Sequence, residues 1–363
     1  MAKGPTVYDV AERAGVSIAT VSFTFRQPKK VRESTRELVH AAAQELGYIP
    51  SANARGLAGG RTGALGLLSL DRLPSAPGSA TSVSSPSIDS NADCRSFPVY
   101  MDEVQRGVEE ECWRRGYALM VASASRSNRS AVFTDLAGRV DGLVIISGTT
   151  FLDTDLHRLA ARLPVAVLSD SRPEDDLIRV SVENATGMRD LTEHLIRSHG
   201  YRDLLFMGPM YDADRTERFD AFRAAMLAAG LPAQRESLAI AGGHREMAAT
   251  QGYRELVADL TSRNALPDAF VCVNDEVALA LMDALRDAKI SVPGQVAVTG
   301  FDGIVAGRLV SPSLTTVRQP MPEMGVTVVE LLTDRIEHPD EPPKSRKLPV
   351  KLVLRESCGC PPG

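Results

Sequence analysis

Thr20, Ser22 and Arg26 place two hydroxyls and a guanidinium at helical spacing, a set suited to phosphate oxygens or to mixed phosphate and base contacts. The elements that must hold them are short. The spacing predicts a helix from Thr6 to about Ala14, a tight turn at Gly15-Val16 and a second helix opening at Ser17. Thr6 and Ser17 each stand just before an apolar-periodic run, where a side-chain oxygen caps free backbone N–H groups. Val7, Val10, Ala11, Val16 and Val21 are the apolar positions that pack this pair against a third helix. That third helix is predicted from Arg32 to Leu46, with Val39, Ala42, Ala43 and Leu46 on one face and Gly47 as its stop. Two helices joined in this way form a helix-turn-helix, whose second helix enters the DNA major groove.

Charge divides the chain at the same place. Residues 1–61 hold nine Lys or Arg and five Asp or Glu, a net +4, whereas the whole chain is −5 and the remainder therefore −9. A basic head on an acidic body suits neutralisation of phosphates by the head alone.

Enzyme chemistry finds little support. The sequence has no Gly-x-Ser-x-Gly elbow, no His-Glu-x-x-His and no Walker loop. Gly60-Arg-Thr-Gly-Ala-Leu-Gly66 precedes a predicted strand instead of following one, so it is no dinucleotide fingerprint. The five cysteines, Cys94, Cys112, Cys272, Cys358 and Cys360, are scattered and imply no disulfide framework. Cys358-Gly-Cys360 has no second ligand pair nearby in the sequence and reads as a reduced tail, so no metal and no cofactor is expected. No run of about twenty apolar residues exists and the N-terminus is a helix pair instead of a signal sequence, which places the protein in the cytoplasm by expectation.

At 363 residues the chain exceeds one small core. From Thr62 onward short apolar runs alternate with helical patterns. Strands are predicted at 64–70, 118–122, 142–146, 165–168, 178–182, 204–207, 269–273 and 296–299, with helices such as 102–115, 185–198, 215–229, 246–261 and 276–288 between them. That order predicts an α/β body with parallel sheets and helices on both faces. Residues 73–98, rich in Ser, Pro, Ala and Gly, read as a flexible insertion, either a surface loop or a lid.

The motifs Thr-Val-Tyr-Asp-Val-Ala at 6–11, Gly-Val-Ser at 15–17, Thr-Val-Ser at 20–22, Gly-Tyr-Ile-Pro at 47–50 and Leu-Ala-Gly at 57–59 resemble the LacI-type (lac-repressor family) transcription regulators. The resemblance runs from Thr6 to about Ser357 apart from the insertion. It implies a helix-turn-helix domain at 1–50, a hinge helix and linker at 51–61, and at 62–363 a two-lobed effector-binding and dimerisation domain like a type I periplasmic binding protein. It implies base reading at Ile18, Ala19 and Phe23, where Phe23 departs from the usual Arg and suits a thymine methyl. Phe23 and Phe25 have a second reading, as core residues of the head. Leu57 is implied as a minor-groove wedge, with Asn53 and Arg55 beside it on phosphates. The effector cleft is implied at Tyr100, Asp170, Arg218, Asn274, Asp302 and Gln319, a set suited to a polyhydroxylated ligand; Asn274 has an alternative role as a helix cap.

The expected function is thus a repressor that binds a pseudo-palindromic operator as a homodimer and answers to a small polar effector such as a sugar. A regulator responding to a purine or nucleoside, and a two-lobed solute-binding module acting without DNA, are the alternatives.

Overall fold

The computed structural model describes residues 5–26, 28–48, 61–70, 99–124, 128–146, 153–170, 177–240 and 250–361. The chain divides into two compact units, 1–63 and 64–363.

In the first unit, α1 (Val7–Ala14), α2 (Ile18–Arg26) and α3 (Glu33–Leu46) enclose a small core of Val10, Ala11, Val21, Val39, Ala42 and Ala43. Local chemistry sets the helix ends. The Asp9 carboxylate accepts from the Thr6 N–H at 2.6 Å and the Thr6 hydroxyl at 2.7 Å. Gly15 ends α1 in the left-handed region at φ 68°, where a side chain would be strained. This conformation lets the Gly15 and Val16 N–H groups reach the carbonyls of Glu12 and Ala11. Ser17 then caps α2, its Oγ accepting from the Thr20 N–H at 3.1 Å.

The second unit contains two sheets. β1 (Ala64–Leu70), β2 (Ala118–Ala124), β3 (Gly142–Ile146), β4 (Val165–Leu168), β5 (Ile178–Val182) and the distant β10 (Arg346–Leu348) form a parallel sheet in the order β10-β5-β4-β3-β1-β2. β6 (Leu204–Met207), β7 (Ala269–Cys272), β8 (Ala297–Asp302), β9 (Thr315–Arg318) and β11 (Lys351–Val353) form the other, in the order β11-β9-β8-β7-β6, with β11 alone antiparallel. Every residue of β3, β4, β5, β7 and β8 is buried, as helices on both faces of a parallel sheet require.

Those helices are α4 (Val99–Arg115), α5 (Arg129–Ala137), α6 (Asp153–Ala160), α7 (Asn184–His199), α8 (Ala213–Ala228), α9 (Thr250–Ser262), α10 (Asp275–Asp287), α11 (Val305–Leu309) and α12 (Met321–Glu337). The chain crosses between the sheets three times: at Glu183 after β5, at Gln319-Pro320 after β9, and at Pro349-Val350 between β10 and β11. This defines two lobes joined by three crossing segments.

The observed elements extend several expectations. The strand expected at 296–299 runs from Ala297 to Asp302, and the helix expected from Arg215 starts at Ala213 because Asp212 accepts from the Arg215 N–H at 2.8 Å and caps it. β9, β10, β11, α5, α6, α11 and α12 add to the elements named above as expected. The hinge expected at 51–61 lies outside the described residues except for Arg61, and the whole 73–98 insertion lies outside them. No helix among the described residues is long and apolar enough to cross a membrane.

Candidate functional site

The outer face of α2 repeats at positions 18, 19, 22 and 23, opposite the buried Val21 and Thr24. Ser17, Ile18, Ala19 and Phe23 are exposed, and Thr20 and Ser22 are half-buried. The two phenylalanines separate here. Phe25 packs edge-on against His40 at 5.2 Å and tilts against Tyr48 at 6.1 Å, whereas Phe23 stands 45% exposed. Phe25 therefore belongs to the core, and Phe23 offers an apolar ring to whatever meets the helix. Two of the hydroxyls already have local partners: Thr6 on Asp9, and Thr20 on Ser17 at 2.9 Å. The Arg26 side chain, like Asn53, Arg55 and Leu57, lies outside the described residues.

In the two-lobed unit, polar side chains gather at the carboxyl ends of the strands, where open α/β sheets bind ligands. Ser169 and Asp170 follow β4, Asn274 follows β7, Asp302 ends β8 and Gln319 follows β9. Asp302 is the hub. Its Oδ1 accepts from Gln319 Nε2 at 2.6 Å and lies 3.5 Å from Arg218 Nη1, and its backbone takes the uncommon φ of 121°. Such a conformation in a non-glycine residue persists only where its surroundings hold it in place.

Arg218 reaches Asp302 from α8, on the face that buries Asp214, Arg218, Phe219 and Phe222. Its Nε donates to Asn184 Oδ1 at 2.8 Å and its Nη1 to the Val273 carbonyl at 2.9 Å, and the guanidinium lies 3.8 Å from the centre of the Phe301 ring. Tyr100, at the start of α4, places its hydroxyl 2.6 Å from Ser169 Oγ. Burial holds the Tyr100 phenol well above its ordinary range. The Asp302 carboxylate adds to that shift, and the Ser169 hydrogen bond and Arg218 oppose it. Gln319 is buried, and its Oε1 has no hydrogen-bond partner among the described residues. A buried acceptor left open in this way suits a ligand hydroxyl or amide.

Of the six cleft residues expected, the fold joins Tyr100, Arg218, Asp302 and Gln319 through direct contact or a shared field. Asn274 neighbours this group, but its Oδ1 accepts from the Val277 N–H at 3.0 Å and caps α10. Asp170 is instead tied to Arg179 in a buried ion pair within the first lobe.

Three further residues matter. Asn184 anchors Arg218, and Asp214 sits one helical turn before it, a spacing of four that the sequence displays. Asp275 accepts from the Gly303 and Ile304 N–H groups at 2.8 Å each and from the Thr316 hydroxyl at 2.6 Å, which holds the turn leaving β8. Burial pushes its carboxyl up to about 8, with the nearby Asp302 charge the second cause.

Comparison with known proteins assigns both units. The profile of bacterial regulatory proteins of the lacI family matches residues 6–51, and that of the periplasmic binding protein-like domain matches residues 192–358. The HTH-type transcriptional repressor PurR of Pasteurella multocida is 30% identical over 361 residues, which span 97% of this chain and 98% of that protein. PurR of Photobacterium profundum is 30% identical over 359 residues, with the same two coverages of 97% and 98%. Among solved structures, the complex of the transcriptional regulator CelR with cellobiose is 27% identical with a TM-score of 0.66, covering 97% of this chain and 99% of that one. The lac repressor dimer bound to operator and the anti-inducer ONPF shares the fold at a TM-score of 0.75 and 24% identity, covering 98% of this chain and 99% of that one.

Proposed function

The chain belongs to the LacI family of DNA-binding transcriptional repressors, and from that premise we propose that it binds a pseudo-palindromic operator as a homodimer under the control of a sugar held between its lobes. One recognition helix covers one half-site, so two heads are needed for useful specificity. Ile18, Ala19 and Phe23 read base edges, and Thr6, Ser17, Thr20, Ser22 and Arg26 supply phosphate or mixed contacts. Leu57 wedges between base pairs of the minor groove, with Asn53 and Arg55 beside it on phosphates, and the unstacking it causes bends the operator. The protein acts in the cytoplasm, where its operator lies, and performs no catalysis.

The observation that carries the sugar reading is the cluster of Gln319, Asp302 and Arg218 beside Tyr100, with the Gln319 carbonyl open. A polyhydroxylated ligand both donates and accepts at each hydroxyl, so it can satisfy an amide oxygen and a guanidinium together. The related regulator CelR is a cellobiose complex, which adds to the case.

Control follows from where these residues sit. Asn184 lies just past the first crossing between the lobes, and Gln319 forms part of the second. A ligand that engages both biases the angle at the crossings, and so the balance between two arrangements of the lobes. By linkage, a ligand that lowers operator affinity binds the operator-bound form less tightly by the same factor.

A thermal-shift screen of sugars and nucleosides on the full-length protein, followed by gel shifts with flanking DNA in the presence of each hit, tests the proposal. A sugar that raises the melting temperature and changes operator affinity is the expected result. A nucleoside hit with the same effect replaces the sugar, and a hit with no operator binding in any state favours a solute-binding module.

A further inference from the structure

Two histidines at the end of α7 and two cysteines in the C-terminal turn bring four metal-ligand atoms together, far from one another in sequence. The turn at Glu356–Cys358 packs against β8 and β9, which carries Cys358 and Cys360 to His194 and His199. The expectation that Cys358-Gly-Cys360 lacks a second ligand pair thus holds along the sequence and fails in space: the cysteine–histidine contacts span 161 to 166 residues.

The distances fit a single ion. His194 Nε2 and His199 Nε2 lie 3.2 Å apart. Cys360 Sγ is 3.4 Å from the first and 3.6 Å from the second, and Cys358 Sγ is 3.9 Å from His194 Nε2. All four ligand atoms fall within 4.8 Å of one another. A tetrahedral zinc with bonds of ~2.0–2.1 Å to nitrogen and ~2.3 Å to sulfur has N···N edges of ~3.3 Å, S···N edges of ~3.5 Å and S···S edges of ~3.8 Å. The N···N separation lies close to the tetrahedral value, and the three S···N separations fall on both sides of theirs. Two thiols and two imidazoles this close together are a donor set that one cation can bridge.

From this geometry we propose that His194, His199, Cys358 and Cys360 form a structural zinc site that clips the C-terminal turn to the end of α7. Two thiolates and two imidazoles form a closed tetrahedral set with no position left for water or substrate, the donor pattern of structural zinc. The surroundings orient the ligands. The Tyr201 ring stacks on His199 at 5.3 Å, and its hydroxyl donates to the Cys358 carbonyl at 3.1 Å. The Thr315 hydroxyl lies 3.1 Å from Cys358 Sγ, where it can donate to a thiolate. Gly359, between the cysteines, adopts φ 103°, and a Cβ there would sit 3.2 Å from His199 Nδ1, so glycine lets the turn close on the ring. The clip lies within the second lobe and closes a long loop across it, so metal binding adds directly to that lobe's stability.

The full-length protein, purified reduced and without chelator, is loaded with Zn2+ and assayed by mass spectrometry of the metal. Cobalt substitution then reads the coordination sphere. The proposal expects one zinc per chain, intense tetrahedral cobalt bands with thiolate charge transfer, and a fall in zinc affinity of more than about 10-fold in both Cys360→Ser and His194→Gln. His338→Gln, at an exposed histidine outside the cluster, keeps the parent affinity. Circular dichroism establishes that each variant is folded. No zinc after loading, a weak octahedral cobalt spectrum, a Cys358–Cys360 disulfide that leaves no metal bound, or unchanged affinity in folded Cys360→Ser each overturns it.

Discussion

Replacing Arg218 with Ala should cost the two-lobed unit about 3–5 kcal/mol, the range for breaking a buried ion pair from one side. Three losses contribute. The guanidinium gives up hydrogen bonds to Asn184 Oδ1 at 2.8 Å and the Val273 carbonyl at 2.9 Å. Bonds to charged groups are worth about 1.5–3 kcal/mol each. The cation over Phe301 is worth about 0.5–2 kcal/mol. Asp302, 6% exposed, then keeps its charge with only Gln319 left of the two named partners. These effects overlap, so their sum overstates the loss. A loss of this size lowers Tm by roughly 6–20 °C for a unit of some 300 residues, given about 2–4 °C per kcal/mol. A thermodynamic cycle isolates the charge: Asp302→Asn in the Arg218→Ala background removes the carboxylate that has lost its cation, so the double variant should be about 1–3 kcal/mol more stable than additivity predicts. Urea unfolding measures each corner, and gel shifts with a thermal-shift hit should show operator binding kept and the effector response lost. A cost under about 1 kcal/mol for Arg218→Ala, or an additive double variant, would refute the pairing on which the cleft rests.

Asp275 makes stability depend on pH. Its native pKa of about 8 lies above the unfolded value, so between ~pH 4 and 8 the unfolded chain has released a proton that the native state retains. Its contribution is full below ~pH 4 and lost as pH rises through 8, at up to ~1.4 kcal/mol per pH unit, and urea midpoints at two pH values should show a flatter slope in Asp275→Asn. For Phe23, uracil in place of a contacted thymine should weaken operator binding by removing a methyl contact; selection from random DNA that returns a guanine at that position would contradict it. Leu57→Ala should weaken specific binding by about 1–3 kcal/mol at matched salt and leave non-specific binding unchanged, a pattern that titration of operator and random duplex would reveal.

The sequence displays the head more fully than the cleft, and the reason is the range of the interactions. Val10, Ala11, Val21, Val39, Ala42 and Ala43 recur at helical period and all enter one core, and Asp9, Gly15 and Ser17 set the helix ends through backbone groups within four residues of themselves. Phe23 and Phe25 defeat this reasoning because both are aromatic and neighbours on one helix; the choice falls to His40 and Tyr48, which α3 brings in. In the body, the three-residue strands Arg346–Leu348 and Lys351–Val353 are too short for an alternating pattern, and pairing with β5 and β9 makes them strands. The cleft residues carry chemistry in their types, but their partners come from other strands. Asp170 offers the same carboxylate as Asp302, yet Arg179 pairs with one and Arg218 lies beside the other.

The cysteine–histidine cluster is the extreme case of the same principle. Ligand spacing can be read from a sequence when both pairs lie on one short motif, because the chain itself fixes their separation. Here the distance between pairs is set by most of a lobe, from α7 through β11 to the terminal turn. Only the closed fold makes Cys358-Gly-Cys360 and His194 to His199 one site. The same closure gives such a site its thermodynamic weight: a bond across a long loop removes more freedom from the unfolded chain than one across a short motif. If zinc occupies the cluster, its loss should therefore loosen the second lobe as a whole, beyond the terminal turn, and chelation should lower the cooperative unfolding midpoint while leaving the first unit's helical core intact.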